Sequence, residues 1–381
     1  MARLPYLIVL TSLLAACSED SVSPTGPTPG AASRAVANGA APGAVFTQTN
    51  ATSGNSVLVF ARAADGTLTA SGSVATGGAG TGAGLGSQGS VTLSEDGNWL
   101  LVVNAGTNDV SAFAVGPNGT LTLRGRATSG GTMPISVTIH DDLVYVLNAG
   151  GTGNISGLRL GADGSLSPIA GSTRGLSGSA VGPAEVLFDH SGGWLVVTEK
   201  NTNKIDTWRV GADGFATGRV INASSGQTPF GFTFTTQGVL AVSEAFGGAA
   251  NASATSTYTI NPNGTLHVIS ASTPTTETSA CWAVATNNGR FIYVTNATSA
   301  SVTGYASARG ELSLLQADGV SARVGAGATD VAITPNSQFL YELSGGARTI
   351  SGLGVSQATG ALAAAGAPTN VPAGVVGIAA K

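Results

Sequence analysis

Seven glycine-containing turn dipeptides recur along this chain at a near-constant interval, and that period restricts the possible folds more than any other feature. Asp65-Gly66, Asn118-Gly119, Asp163-Gly164, Asp213-Gly214, Asn263-Gly264, Arg309-Gly310 and Thr359-Gly360 follow one another at spacings of 53, 45, 50, 50, 46 and 50 residues. Asp-Gly and Asn-Gly are the pairs that best supply the positive φ of a tight hairpin. Each interval holds short apolar runs that read as four strands, called A to D here. Strand B reads 99–104, 143–148, 194–199, 239–244, 291–296 and 339–344, and strand C begins near 110, 155, 205, 256, 302 and 350. A four-stranded unit of this size cannot cover both faces of its own sheet, whereas a ring of such units covers all of them. The first unit, from Ala44, holds only B, C and D, while 374–379 has the pattern of a strand A with no B after it. The expectation is an all-β, seven-bladed β-propeller with four antiparallel strands per blade, closed by the C-terminal strand joining the N-terminal blade.

Composition agrees and removes other classes. Of 381 residues only 9% are charged, 42% are hydrophobic and 56 are Gly. Helical bundles and coiled coils need Glu, Lys, Arg and Leu at helical spacing. Charge-driven disorder needs a larger net charge than -4 and less apolar content. With 16 Lys and Arg against 20 Asp and Glu, and no basic run, no nucleic-acid footprint exists.

The beginning of the chain points to a membrane surface. Arg3 precedes a short apolar segment, 7–14, too short to span a bilayer. Leu14-Ala15-Ala16-Cys17 then resembles a bacterial lipobox, which implies cleavage before Cys17 and lipidation of it. Ser18 in place of Asp implies outer-membrane sorting, on the periplasmic or the surface side. With Cys17 acylated, no disulfide framework is expected. Residues 17–42, rich in Ser, Pro, Thr, Gly and Ala, read as a disordered tether. The expected organisation is thus a signal peptide over 1–16, a lipidated tether over 17–42 and the propeller over 43–381.

Phe291–Asn296 contains the string Tyr-Val-Thr-Asn, and the units share the pattern of an aromatic-led strand B, a Val-Ser-rich strand C and an Asp/Asn-Gly turn. In these respects the chain resembles the bacterial seven-bladed propeller lactonase family, which includes 6-phosphogluconolactonase and the carboxymuconate-lactonizing enzymes. The resemblance implies the propeller fold and, where the site is intact, lactone hydrolysis or a muconate-type cycloisomerisation. It also implies a His-bearing strand A and an Arg after strand B. Here those stretches read Gly182-Pro183-Ala184-Glu185 and 279–284, and Ala297 stands at the Arg position; Glu199 alone keeps a matching acid.

Propeller topology places the B–C loops and the D-to-A loops at one mouth of the channel, called the top. The starts of strand A there include Glu185, Trp282 and Asp330, and the ends of strand B include Asn104, Asn148, Glu199, Glu244 and Asn296. Close carboxylates raise one another's pKa and suit general acid–base work. They could also bind a hard cation such as calcium with Asn carbonyls as co-ligands, or the mouth could hold an anion or a sugar, while the plainer reading has Glu199 paired with Lys200 in a solvated loop and Glu185 capping backbone N–H groups. Trp282 could stack a sugar ring or pack between blades. His140 and His190 fall at A–B turns on the opposite face and His267 on an outer strand, out of reach of the mouth. The glycine-rich stretch 77–86 joins strand to strand, not strand to helix, and reads as a flexible loop. We therefore expect a monomeric, lipid-anchored binding scaffold with a degenerate catalytic site and no cofactor. Glu199 is its one candidate catalytic residue, and its partner is an unidentified small molecule, glycan or envelope protein. An active lactonase is the alternative.

Overall fold

The structure, a computed structural model, describes residues 41–381. The signal segment, Cys17 and the tether up to residue 40 lie outside the described residues. Seven antiparallel sheets form a closed ring. Blade 1 consists of Gly43–Gln48, Ser56–Arg62, Leu68–Ala75 and, as its innermost strand, Val376–Ala380. Val45 pairs with Ala380 and Thr47 with Ile378, so the end of the chain completes the first blade as expected.

In blades 2 to 7 the innermost strand comes first. These A strands are Val91–Leu93, Pro134–His140, Pro183–Phe188, Pro229–Phe234, Ala280–Ala285 and Ala328–Ile333. They pair with the B strands Trp99–Asn104, Leu143–Asn148, Trp194–Glu199, Leu240–Glu244, Phe291–Asn296 and Phe339–Ser344. Strand B is buried at almost every position because neighbouring blades cover both of its faces, which explains its near-continuous apolar run. In blade 3 strand D is split into Leu166–Pro168 and Arg174–Gly175. Pro168 has no N–H to continue the ladder.

The periodic turns do two jobs. Gly66 adopts φ +87°, and a Cβ there would stand 2.3 Å from the ring of Phe339 in blade 7. Its carbonyl also accepts a hydrogen bond from Tyr341 Oη at 2.8 Å. Tyr145 binds the carbonyl of Gly214 at 2.9 Å, and Tyr293 that of Gly360 at 2.8 Å, each in the next blade. The strand-B tyrosine is therefore a staple from one blade to the C–D turn of the next.

Cys281 corrects one expectation. It is buried and disulfide-bonded, and no cysteine among the described residues is free.

Candidate functional site

The outer edge of each A strand pairs with strand B, and its inner edge faces the channel. Inner-edge N–H groups need acceptors there, and side chains of the preceding blade supply several. Ser136 Oγ accepts from Val186 N at 3.2 Å, Glu185 Oε2 from Phe232 N at 2.6 Å and Asp330 Oδ2 from Ile378 N at 3.2 Å. Asp330 Oδ1 also accepts from Val331 N at 2.7 Å. Burial pushes both carboxyls up. Asp330 reaches about 8 despite the opposing N–H groups of Val331, Ile378 and Gly89. Glu185 is raised well above the usual carboxylate range by burial, against the Phe232 N–H, and the nearby Asp330 adds to the rise. At neutral pH, Asp330 is mostly an uncharged acid.

Blade 5 breaks the pattern, because the residue aligned with Glu185 is Gly231. Gln88, from the loop leading into blade 2, fills the gap. Its Nε2 donates to Ala283 O at 2.8 Å and its Oε1 accepts from Ala283 N at 3.1 Å, so its amide pairs with the free edge of blade 6 like a short piece of strand. A Cβ on Gly231 would lie 2.2 Å from Gln88 Oε1. The bond crosses the channel.

The stretch leading to Gln88 is not the free loop expected. Gly80 N and Gly82 N donate to Ala51 O and Asn50 O, each at 2.8 Å, and Asn50 Nδ2 to Ala83 O at 2.6 Å. Ser87 Oγ binds Ile135 O at 2.7 Å, and Gln88 N binds Ala184 O at 3.1 Å. Lys200 Nζ donates to Gly86 O at 2.6 Å while lying 4.6 Å from the centre of the Phe230 ring. Burial lowers the Lys200 ammonium to about 8. Residues 77–89 thus form a strap across the top of the channel, tied to blades 1, 3, 4 and 6.

The residues singled out from the sequence fall into two groups. Glu185 and Asp330 meet at the head of the channel. The strand-B ends instead bond to strand C or to the loops beside it. Glu199 accepts from Ser177 N at 2.8 Å, from Ser177 Oγ and from Thr202 Oγ1 at 2.6 Å. Glu244 accepts from Gly226 N at 2.8 Å, Ser256 Oγ at 2.5 Å and Ser272 Oγ at 2.7 Å. Burial raises its pKa against those donors. Asn104 joins Asn55, Thr76, Asp109 and Ser111. Asn148 binds Ser129 O at 3.0 Å, and Asn296 binds Thr303 Oγ1 at 2.9 Å. These side chains tie strand C and nearby loops to the end of strand B. Trp282 is fully buried, donates Nε1–H to Ala328 O at 3.1 Å and meets Phe230 edge-on at 5.1 Å, which leaves no face for a sugar. Glu199 and Lys200 do not form the solvated pair considered from the sequence, since each has other partners.

Beneath Gln88 lies a cavity of about 310 Å³. Its lining runs from Gln88, Glu185 and Asp330 at the starts of the A strands to Leu93, Ile333 and Ala380 at their ends. Among the described residues, no His, Lys or Arg lines it, and none of their His, Cys, Asp and Glu side chains group by three or more to hold a metal ion.

Fold and site together define a seven-bladed propeller with an acidic channel head closed above by a strap. Residues 53–156 match the family described as "Lactonase, 7-bladed beta-propeller". Solved structures share the fold. A candidate 6-phosphogluconolactonase of Bacteroides uniformis is 20% identical, covers 89% of this chain and 99% of its own, and superposes with a TM-score of 0.71. A periplasmic gluconolactonase of Pseudomonas aeruginosa is 16% identical over 89% and 99% of the two chains, with a TM-score of 0.70. No curated protein matches the chain.

Proposed function

We propose that this lactonase-like propeller is a binding scaffold whose catalytic site is degenerate. One observation carries the reading: the acids that could do chemistry are engaged in holding the fold. Glu199 and Glu244 each receive several hydrogen bonds from their blades and the loops leading into them, and both oxygens of Asp330 accept backbone N–H groups. A general base needs a free, correctly ionised oxygen within reach of substrate. The histidines lie on the opposite face or the outer rim. The ligand is a small molecule, a glycan or an envelope protein, and the propeller acts as a monomer.

Lactone hydrolysis is a second reading, favoured because Glu185 commits only one oxygen to the backbone. Ring opening of a panel of sugar and aliphatic lactones, followed by pH-stat, separates the two. The scaffold reading expects no turnover above the uncatalysed rate. Turnover that disappears in Glu185→Gln would establish catalysis instead.

The scaffold is held at the outer membrane by lipid on Cys17, in keeping with its Leu-Ala-Ala-Cys motif. Radiolabelled palmitate should enter the chain in cells and should not enter Cys17→Ser. An intact mass without acyl chains would refute the anchor.

A further inference from the structure

We propose that the channel beneath the Gln88 strap binds a small, uncharged, largely apolar molecule with a carbonyl group at its leading end, admitted from the face that carries the A–B turns. This deepens the binding reading and rests on it.

The direction of access follows from the strap. Gln88 pairs with both polar groups of Ala283 across the channel, and Lys200 and Ser87 hold the loop on either side of it. The cavity begins under this roof and continues to Leu93, Ile333 and Ala380, where the A strands end. Its open end is therefore opposite the mouth expected from the sequence.

The chemistry follows from the lining. Val91, Val137, Phe232 and Ile378 give apolar walls. Two carboxyls stand at the head with no cationic side chain among the described lining residues, so an anion such as a sugar phosphate has no partner there. A hard divalent cation wants about six to eight oxygens. Asp330 has both oxygens engaged by backbone N–H groups, which leaves too few. Glu185 differs: Oε2 holds Phe232 N, and Oε1 has no protein partner. With burial favouring its protonated form, Glu185 can donate one hydrogen bond to an acceptor at the tip of a ligand. A cavity of 310 Å³ has room for about ten waters at 30 Å³ each, or a compact organic molecule of similar volume.

The probe is 2-heptanone, a ketone that cannot be hydrolysed, titrated into the full chain with labelled Ile and Leu methyl groups. We expect saturable shifts at Ile333, Ile378 and Leu93, and at least tenfold weaker binding of heptanoate at pH 7.5. Ile333→Trp should abolish binding without lowering the melting temperature; if that variant does not fold, the methyl shifts of the parent chain decide. No saturable shift, equal binding of heptanoate, or shifts confined to the strap side would overturn the proposal. Failure here without lactone turnover removes this site but not the scaffold. Turnover together with binding here removes the scaffold but not this site.

Discussion

Asp206 faces Glu199 inside blade 4, at the position where Ser256 donates to Glu244 in blade 5. Strand C carries Ser111, Ser156, Ser256, Thr303 and Ser351 at the aligned position of blades 2, 3, 5, 6 and 7, and only here an acid. Both Asp206 oxygens are buried, with the Glu199 carboxyl beside them. Burial, then the charge of Glu199, pushes its pKa to about 7, against the opposing pull of Arg219 and Lys204.

The folded state thus binds a proton at Asp206 that the unfolded chain releases near 3.8. Between those two values the folded state holds more protons, so stability is fullest below about pH 4 and falls until about pH 7. Asp206→Ser should flatten that part of the profile and raise stability at pH 8 by on the order of 1–3 kcal/mol. Urea unfolding of both proteins at pH 5 and pH 8 checks this; equal gains at the two pH values would contradict it.

Glu342 gives a parallel expectation with a different cause. The B strands carry Val102, Val146, Val197, Val242 and Val294 where blade 7 has Glu342. It is fully buried and pushed up to about 8 by that burial, with the Ser344 hydroxyl 2.7 Å from both oxygens. As a raised acid it too makes stability fall with pH, from about 4.5 to about 8. Glu342→Val should increase the melting temperature, more at pH 8.5 than at pH 5. A lower melting temperature at both pH values would show that the carboxyl is needed where it stands.

Tyr341→Phe should weaken the ring at its seam. It removes the hydroxyl that satisfies Gly66 O between blades 7 and 1. A buried carbonyl left without a donor costs about 1–3 kcal/mol. The loss should show in chemical unfolding, and Tyr293→Phe should cost a similar amount because its bond to Gly360 has the same form.

Gly231→Ala should be destabilising in a way that depends on Gln88. The new methyl would displace the Gln88 amide from Ala283. In Gln88→Ala the contact with the amide is gone, while those with Cys281 O at 2.8 Å and Trp282 Cε3 at 2.9 Å stay, so the second substitution should cost less there but not nothing. We expect a coupling of about 0.5–3 kcal/mol in a double-mutant cycle; strictly additive effects would separate the glycine from the strap.

These cases show what a repeat sequence discloses. The turn period and the buried runs of strand B were enough for the blade count and the seam, because each is imposed in nearly every unit. The acids at strand-B ends could be placed on the top face but not inward or outward. Strand C carries a column of hydroxyls that bond these ends, Ser111 to Asn104, Ser256 to Glu244 and Thr303 to Asn296, and reading that column would have assigned Glu244 to its blade. Glu185 and Asp330 were legible because strand A borders the channel. Gln88 was not: it lies beyond a glycine-rich stretch with no period, and its partner is 195 residues away. Only Gly231, a gap in the column of Glu185 and Asp330, hinted that another side chain must fill that place.

The strap makes Gln88 a spoke across a wheel. Inter-blade bonds around the rim resist the parting of neighbours, but they resist widening of the whole ring only weakly. A link from blade 2 to blade 6 sets the bore directly. Any molecule that pushed upward from the far opening would load this one amide, and blades that do not touch would feel the same strain together.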